Sequence, residues 1–102
     1  MVSIIDKHHK ELIDLCRKHC VKRLDVFGSA VADDFSPSSD IDFLVEFDSK
    51  INPRRFDNFF ELHRALEQLL GRSIDLVEPG GLNNPYFIRE ITKTRRNIYA
   101  SS

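Results

Sequence analysis

The segment from residue 40 to residue 47 limits the possible folds of this chain more than any other. It reads Asp-Ile-Asp-Phe-Leu-Val-Glu-Phe. Because side chains alternate between the two faces of a β-strand, Asp40 and Asp42 share one face, roughly 7 Å apart, while the apolar residues between and after them point into a core. Two carboxylates on one face of an apolar strand repel each other and lose hydration when they are buried. The pattern therefore predicts a strand whose two acids bind a divalent cation.

The rest of the chain predicts helices packed on strands around that segment. Hydrophobic spacing, glycines and prolines divide it into the following elements: a helix over 4–20, a strand over 21–27 ended by Gly28, a loop over 30–39, the strand over 40–47, a helix over 56–70 ended by Gly71, a strand over 73–77, and a helix from Asn84-Pro85 through Tyr99. The order α-β-β-α-β-α indicates a small α/β (α+β) fold. A length of 102 residues predicts a single domain over 1–102.

Composition and charge exclude several classes of function. The net charge is −1, and the only dense basic run is Lys93, Arg95 and Arg96, so nothing indicates a general nucleic-acid binder. No apolar run approaches the about 20 residues of a membrane span, and no signal-like segment opens the chain. We therefore expect a cytoplasmic protein that does not enter membranes.

The two cysteines, Cys16 and Cys20, lie four residues apart on a predicted helix. A zinc or redox role would need partners from elsewhere in the chain, and there is no Cys-x-x-Cys pair. We expect reduced, structural cysteines. For His8, His9 and His63 we expect positions in solvent or at the edge of the core.

The turn Phe27-Gly28-Ser29, followed after ten residues by Asp40-Ile41-Asp42, resembles the signature of the DNA polymerase β-like nucleotidyltransferase superfamily. The short chain resembles its minimal nucleotidyltransferase (MNT) branch, and the strand over 74–77 and the helix from Asn84-Pro85 extend that resemblance over most of the chain. The resemblance implies the nucleotidyltransferase fold, a small mixed β-sheet with helices packed on it. It also implies transfer of a nucleotide, often AMP from ATP, to a hydroxyl of a HEPN-domain partner protein, as in a toxin–antitoxin pair.

The chemistry of nucleotidyl transfer agrees with this resemblance. Two Mg²⁺ ions about 3.5–4 Å apart can stabilise both the attacking and the leaving oxygen, and Mg²⁺ prefers a few carboxylates plus phosphate oxygens. Asp40 and Asp42 suit that task, and Asp75, an acid within an apolar strand, is the candidate third carboxylate or general base. Gly28 allows the triphosphate to approach the backbone, and Ser29 offers a hydroxyl and an N–H to a phosphate oxygen.

Each of these residues also has a purely structural interpretation. Asp40 could cap a turn, although that leaves Asp42 unexplained. Asp75 could form an ion pair with Arg72 or Arg89. Gly28 and Ser29 could simply form a turn.

The sequence departs from the family pattern directly after the Gly-Ser turn. Many relatives carry arginines and a glycine there, whereas this chain has Ala-Val-Ala-Asp over residues 30–33. The change predicts a weaker hold on the β- and γ-phosphates. The candidates to compensate are Lys22, Arg23, Arg54 and Arg55.

Two other functions compete with a protein-modifying nucleotidyltransferase. A small-molecule nucleotidyltransferase usually carries an extra substrate domain, and the chain also lacks the domains with which larger relatives hold nucleic acid, so we do not expect a nucleic-acid acceptor. A catalytically weak module could neutralise a HEPN partner by occlusion. The cluster Phe56, Phe59 and Phe60 would suit such an interface, although we expect these rings to fill the core. A weak homodimer through helical faces is a further option.

Overall fold

The computed structural model describes residues 3–28, 40–48, 55–81 and 83–101. Over those residues, the helices and strands follow one another in this order: α1 (Ser3–Lys7), α2 (His9–Lys18), β1 (Val21–Phe27), β2 (Ile41–Phe47), α3 (Arg55–Leu70), β3 (Ile74–Val77), a 3₁₀ turn (Pro79–Gly81), α4 (Pro85–Thr94) and β4 (Arg96–Ala100). This mixed α/β architecture confirms the predicted fold class. One domain over 1–102 stays a prediction.

The four strands form one mixed sheet in the order β3-β2-β1-β4. β1 is antiparallel to both β2 and β4, whereas β2 and β3 are parallel. The parallel pair is reached through α3, as a crossover connection requires. The two strands predicted to carry acids are therefore neighbours.

The two faces of the sheet have different coverings. One face packs against α2 and α3, and its buried residues form the main core: Leu12, Cys16, Leu24, Val26, Ile41, Phe43, Val45, Leu62, Leu66 and Ile74. On the opposite face, α4 packs through Ile91 and Phe87 on Phe27 and Leu44. Because strand residues alternate, Asp42 lies on the same face as Leu44, and Asp75 on the same face as Val77. The acids thus lie on the face that α4 covers.

Several local signals lead to the predicted structures. Gly71 ends α3 with a φ of +64°, the left-handed conformation typical of a helix C-terminus. Asn84 caps α4, since its Oδ1 accepts a hydrogen bond of 2.9 Å from the N–H of Tyr86, and Pro85 follows at the first helical position. The three strands predicted over 21–27, 40–47 and 73–77 are confirmed within one residue at each end.

Two predicted boundaries are wrong. The helix expected over 4–20 is divided at His8 into α1 and α2. The last helix ends at Thr94 rather than at Tyr99, and Ile98 and Tyr99 lie in β4, so the order gains a strand. The reason for the second error is tertiary, because β4 pairs with β1 and brings Asn97 to the buried Asp25.

The remaining expectations for side chains hold in part. Cys16 is buried and Cys20 partly buried, and neither forms a disulfide. Burial raises the pKa of Cys16 to about 12, so this thiol is unreactive. Phe59 packs against the core, whereas Phe60 is 62% exposed, which contradicts its expected core position. Within the described ranges no helix has the length and apolar character needed to cross a bilayer.

Candidate active site

The candidate site is built on the parallel pair β2 and β3. In their register Asp42 lies opposite Asp75, and Ile41 opposite Ile74. Asp40 lies one residue before β2 and is exposed, and the N–H of Ile41 that follows it donates a 3.0 Å hydrogen bond to the carbonyl of Ser73. The two strands thus begin side by side, which places the three predicted acids at the same end of the sheet.

Asp42 is the electrostatic centre of this group. Its carboxyl is partly buried, and its pKa is raised to about 7 by burial first, and then by the negative charges of Asp75, Asp40 and Glu90. Desolvation and like charges both disfavour the ionised form. An ionised Asp42 is therefore costly in the protein alone, and a bound cation would remove that cost.

Gly28 lies against the Asp42 carboxylate. A Cβ placed on this glycine would be 2.6 Å from Oδ2 of Asp42, and the residue has a φ of +78°. Its N–H donates a 2.7 Å hydrogen bond to Oγ1 of Thr94. The missing side chain of Gly28 therefore makes room for the Asp42 carboxylate. Ser29, the other predicted nucleotide-binding residue, lies outside the described residues.

Sequence reasoning missed the contribution of α4 to this site. The Thr94 hydroxyl that accepts from Gly28 also donates a 2.6 Å hydrogen bond to the carbonyl of Glu90. Glu90 is partly buried and acts on Asp42. The only signal in the sequence is an acid between two apolar residues of the α4 stripe, Phe87 and Ile91, which is also common on ordinary helices.

A second buried acid on the same face, Asp25, was also missed. It is fully buried and paired with Arg95 Nε at 2.5 Å and with Arg23 Nε at 3.1 Å, and it accepts a 2.9 Å hydrogen bond from Asn97 Nδ2. Its partners join β1 to the end of α4 and to β4. Asp25 is therefore a structural acid that fixes α4 over the sheet.

The basic residues considered as phosphate ligands are partly committed elsewhere. Arg23 pairs with Asp25, and Lys22 lies 3.8 Å from Glu46 on the neighbouring strand. Residues 30–33 and Arg54 lie outside the described residues. The weaker binding of the β- and γ-phosphates therefore stays a prediction.

The acids form only part of a cation site by themselves. Among the residues that the structure describes, no three His, Cys, Asp or Glu side chains are grouped so that they could hold a metal ion. Mg²⁺ in nucleotide sites usually takes one or two carboxylates and completes its shell with water and substrate phosphates. Carboxylate oxygens with concentrated negative charge fit that requirement, so Asp42 with Asp75 and Asp40 is compatible with Mg²⁺ bound together with a nucleotide.

Comparison with known families identifies this arrangement. The family model described as "Polymerase beta, Nucleotidyltransferase" matches residues 10–102. The chain belongs to this nucleotidyltransferase family. The match includes β1 with Gly28, the Asp-x-Asp strand β2, β3 with Asp75, and α4.

Individual relatives of this nucleotidyltransferase are also small. The "Putative protein adenylyltransferase MJ1379" of Methanocaldococcus jannaschii is 39% identical over 87% of this chain and 85% of its own length. A solved structure of a "putative minimal nucleotidyltransferase" matches with a TM-score of 0.74 and 29% identity, over 94% of this chain and 95% of that one. The suspected membership of the minimal branch is thereby confirmed.

A more distant structure matches this nucleotidyltransferase in fold. A chain of the complex described as "tri-AMPylated Shewanella oneidensis HEPN toxin in complex with MNT antitoxin" has a TM-score of 0.63 and 17% identity, and the match covers 94% of this chain and 72% of that one. At that identity the match supports the shared fold alone.

Proposed function

We propose that this nucleotidyltransferase is an Mg²⁺-dependent protein adenylyltransferase that transfers AMP from ATP to a hydroxyl of a HEPN-domain partner and so acts as its antitoxin. The observation that carries the proposal is the position of Asp42, opposite Asp75 in the parallel register and against the Gly28 turn. The name of the M. jannaschii relative supports a protein acceptor, and the S. oneidensis complex, which shares the fold, is described as an MNT antitoxin bound to a HEPN toxin.

In this proposal Asp42, Asp75 and Asp40 would hold Mg²⁺ together with the phosphates of the nucleotide, with two ions expected in the complete site. Bound Mg²⁺ supplies positive charge against the α-phosphate and the acceptor oxygen. Asp42, which lies opposite Asp75 and two residues after Asp40, would be the carboxylate that serves both ions. The missing side chain of Gly28 makes room for the Asp42 carboxylate, and Ser29 would contribute a hydroxyl to the phosphates.

The transfer itself requires a balanced exchange at phosphorus. The acceptor oxygen forms a bond to the α-phosphorus, the bond from that phosphorus to the bridging oxygen breaks, and pyrophosphate leaves. Asp75, which is exposed at the open side of β3, takes the proton of the acceptor hydroxyl. An exposed base agrees with a large acceptor, because a protein surface must reach it.

The test combines the protein with Mg²⁺, ATP labelled at the α-phosphate, and the product of the adjacent gene, which the family resemblance implies to be a HEPN-domain protein. We expect label on the partner, none after chelation of Mg²⁺, and none with Asp42→Asn or Asp75→Asn. Asp14→Asn is the matched control, because Asp14 is an exposed carboxylate on α2, on the other side of the sheet. Label that persists in Asp42→Asn refutes the proposed site. A tight complex without label in every variant instead shows neutralisation by occlusion.

A further inference from the structure

The first turns of α4 present exposed apolar side chains close to the candidate active site. Among the described residues the large hydrophobic side chains that are well exposed are Phe60, Tyr86 and Ile88. Phe60 belongs to α3, on the other side of the sheet, whereas Tyr86 and Ile88 belong to α4. Tyr86 is 59% exposed.

A row of rings connects Tyr86 with Phe27 of β1, beside Asp42. The ring of Tyr86 lies 5.8 Å from that of Phe87, centroid to centroid. The Phe87 ring lies 5.8 Å from Phe27 in an edge-to-face contact, and Phe27 pairs with Asp42 in the sheet. The Asn84 cap fixes the backbone of Tyr86. The exposed Tyr86 ring thus packs against Phe87 on the side that faces the candidate site.

The spacing along α4 sets how far Tyr86 lies from the acids. Tyr86 and Glu90 are four residues apart and share one stripe of the helix, about 6 Å from each other. Glu90 in turn is close enough to Asp42 to act on its carboxyl. A nucleotide with its α-phosphate at Asp42 has only the ribose between that phosphate and its base. Since the rings of Tyr86, Phe87 and Phe27 follow one another at centroid distances of 5.8 Å, the Tyr86 ring lies two ring contacts from the residue that pairs with Asp42, on the α4 side of the sheet where the nucleotide would bind.

We infer that the ring of Tyr86 stacks on the nucleobase of the bound nucleoside triphosphate. The inference rests on the proposed function, since it needs the triphosphate at Asp42. Stacking on an aromatic face tolerates any base and contributes independently of the phosphates. Stacking would add affinity for the nucleotide, which residues 30–33 do not provide because they include no arginine.

The experiment measures binding rather than turnover. The probes are the α,β-methylene analogue of ATP, which cannot release AMP, and inorganic tripolyphosphate, which has no base, each with Mg²⁺. The variants are Tyr86→Ala, Tyr86→Phe and, as the matched control, Ile88→Ala, because Ile88 is an exposed apolar residue that points away from the Tyr86 stripe. We expect Tyr86→Ala to weaken binding of the analogue by about 5- to 150-fold, the range for loss of one base–aromatic stack. Tyr86→Phe and Ile88→Ala should bind as the wild type does, and tripolyphosphate should bind equally to all four proteins.

Three results would overturn the inference. In the first, Tyr86→Ala binds the analogue as tightly as the wild type. In the second, Tyr86→Ala weakens the binding of tripolyphosphate as much as that of the analogue, which shows a general disturbance of the site. In the third, seen in a separate transfer assay with labelled ATP, Tyr86→Ala changes only the KM for the protein acceptor, which makes Tyr86 a contact for the partner. Failure of the wild type to bind either probe would instead refute the proposed function.

Discussion

Replacing Asp42 by Asn should stabilise the metal-free protein while it abolishes transfer. The pKa of the Asp42 carboxyl rises from 3.8 to about 7 on folding. Between those two values the folded wild type keeps a proton that the unfolded chain has lost. The contribution of this proton to the free energy of unfolding is therefore fully present near pH 4 and is lost as the pH rises through 7. The difference corresponds to an upper limit of about 4 kcal/mol, and because the carboxyl is partly exposed we expect about 2 kcal/mol.

The assay is thermal unfolding of wild type and Asp42→Asn without divalent cations, from pH 4 to pH 8. At pH 8 the variant should unfold about 8 °C higher, since 1 kcal/mol shifts the Tm of a chain of this size by about 4 °C or more. The advantage should shrink below pH 7 and vanish near pH 4. Mg²⁺ with a nucleotide should stabilise the wild type alone and so reduce the gap.

The control is again Asp14→Asn, for which we expect less than about 0.5 kcal/mol at every pH, as for most surface substitutions. The reasoning fails if Asp42→Asn is no more stable than the wild type at pH 8, or if its advantage does not depend on pH. Either result would mean that the surrounding acids do not act on Asp42 as its position indicates.

The remaining predictions concern the contacts that hold the site together. Gly28→Ala should lose roughly 1–3 kcal/mol in urea unfolding and most of the transfer activity, because its Cβ would meet the Asp42 carboxylate and its φ is positive; wild-type activity would show that the turn can move aside. Thr94→Val should cost about 1–3 kcal/mol by leaving the Gly28 N–H without its acceptor, and Thr94→Ser should restore most of it; equal loss in both variants would assign the effect to packing. Asp25→Ala should cost about 3 kcal/mol, because it removes the buried acceptor shared by Arg95, Arg23 and Asn97; a loss below about 1 kcal/mol would contradict a structural role for Asp25.

Apart from the division of the first helix at His8, local patterns were sufficient to predict the fold up to the end of α4. Alternation in β2, the Gly71 ending and the Asn84-Pro85 cap are each decided within a few residues, and each is confirmed. The parallel register that sets Asp75 opposite Asp42 is consistent with the third acid chosen from the sequence. Its role as a metal ligand stays a prediction.

The errors arise where distant residues decide the structure. The spacing of Ile91, Ile98 and Tyr99 also fits a helix, so no local signal ends it at Thr94. What ends it is the backbone of Arg95, which turns away from the helical conformation while its guanidinium reaches Asp25. Proximity of Glu90 to Asp42 likewise depends on the packing of α4 on Phe27, which periodicity does not reveal.

Asp25 and Asp42 show why an acid in an apolar strand cannot be assigned a role from sequence alone. Both lie on the face of the sheet that α4 covers, on neighbouring strands, and both follow an apolar residue in an apolar run. Arg95, Arg23 and Asn97 compensate the charge of Asp25 within the chain, so that acid needs no ligand. The groups that act on Asp42 are all acids, so its ionised form needs a cation from outside. The partners of each carboxylate, rather than its place in the strand, therefore separate the structural acid from the functional one.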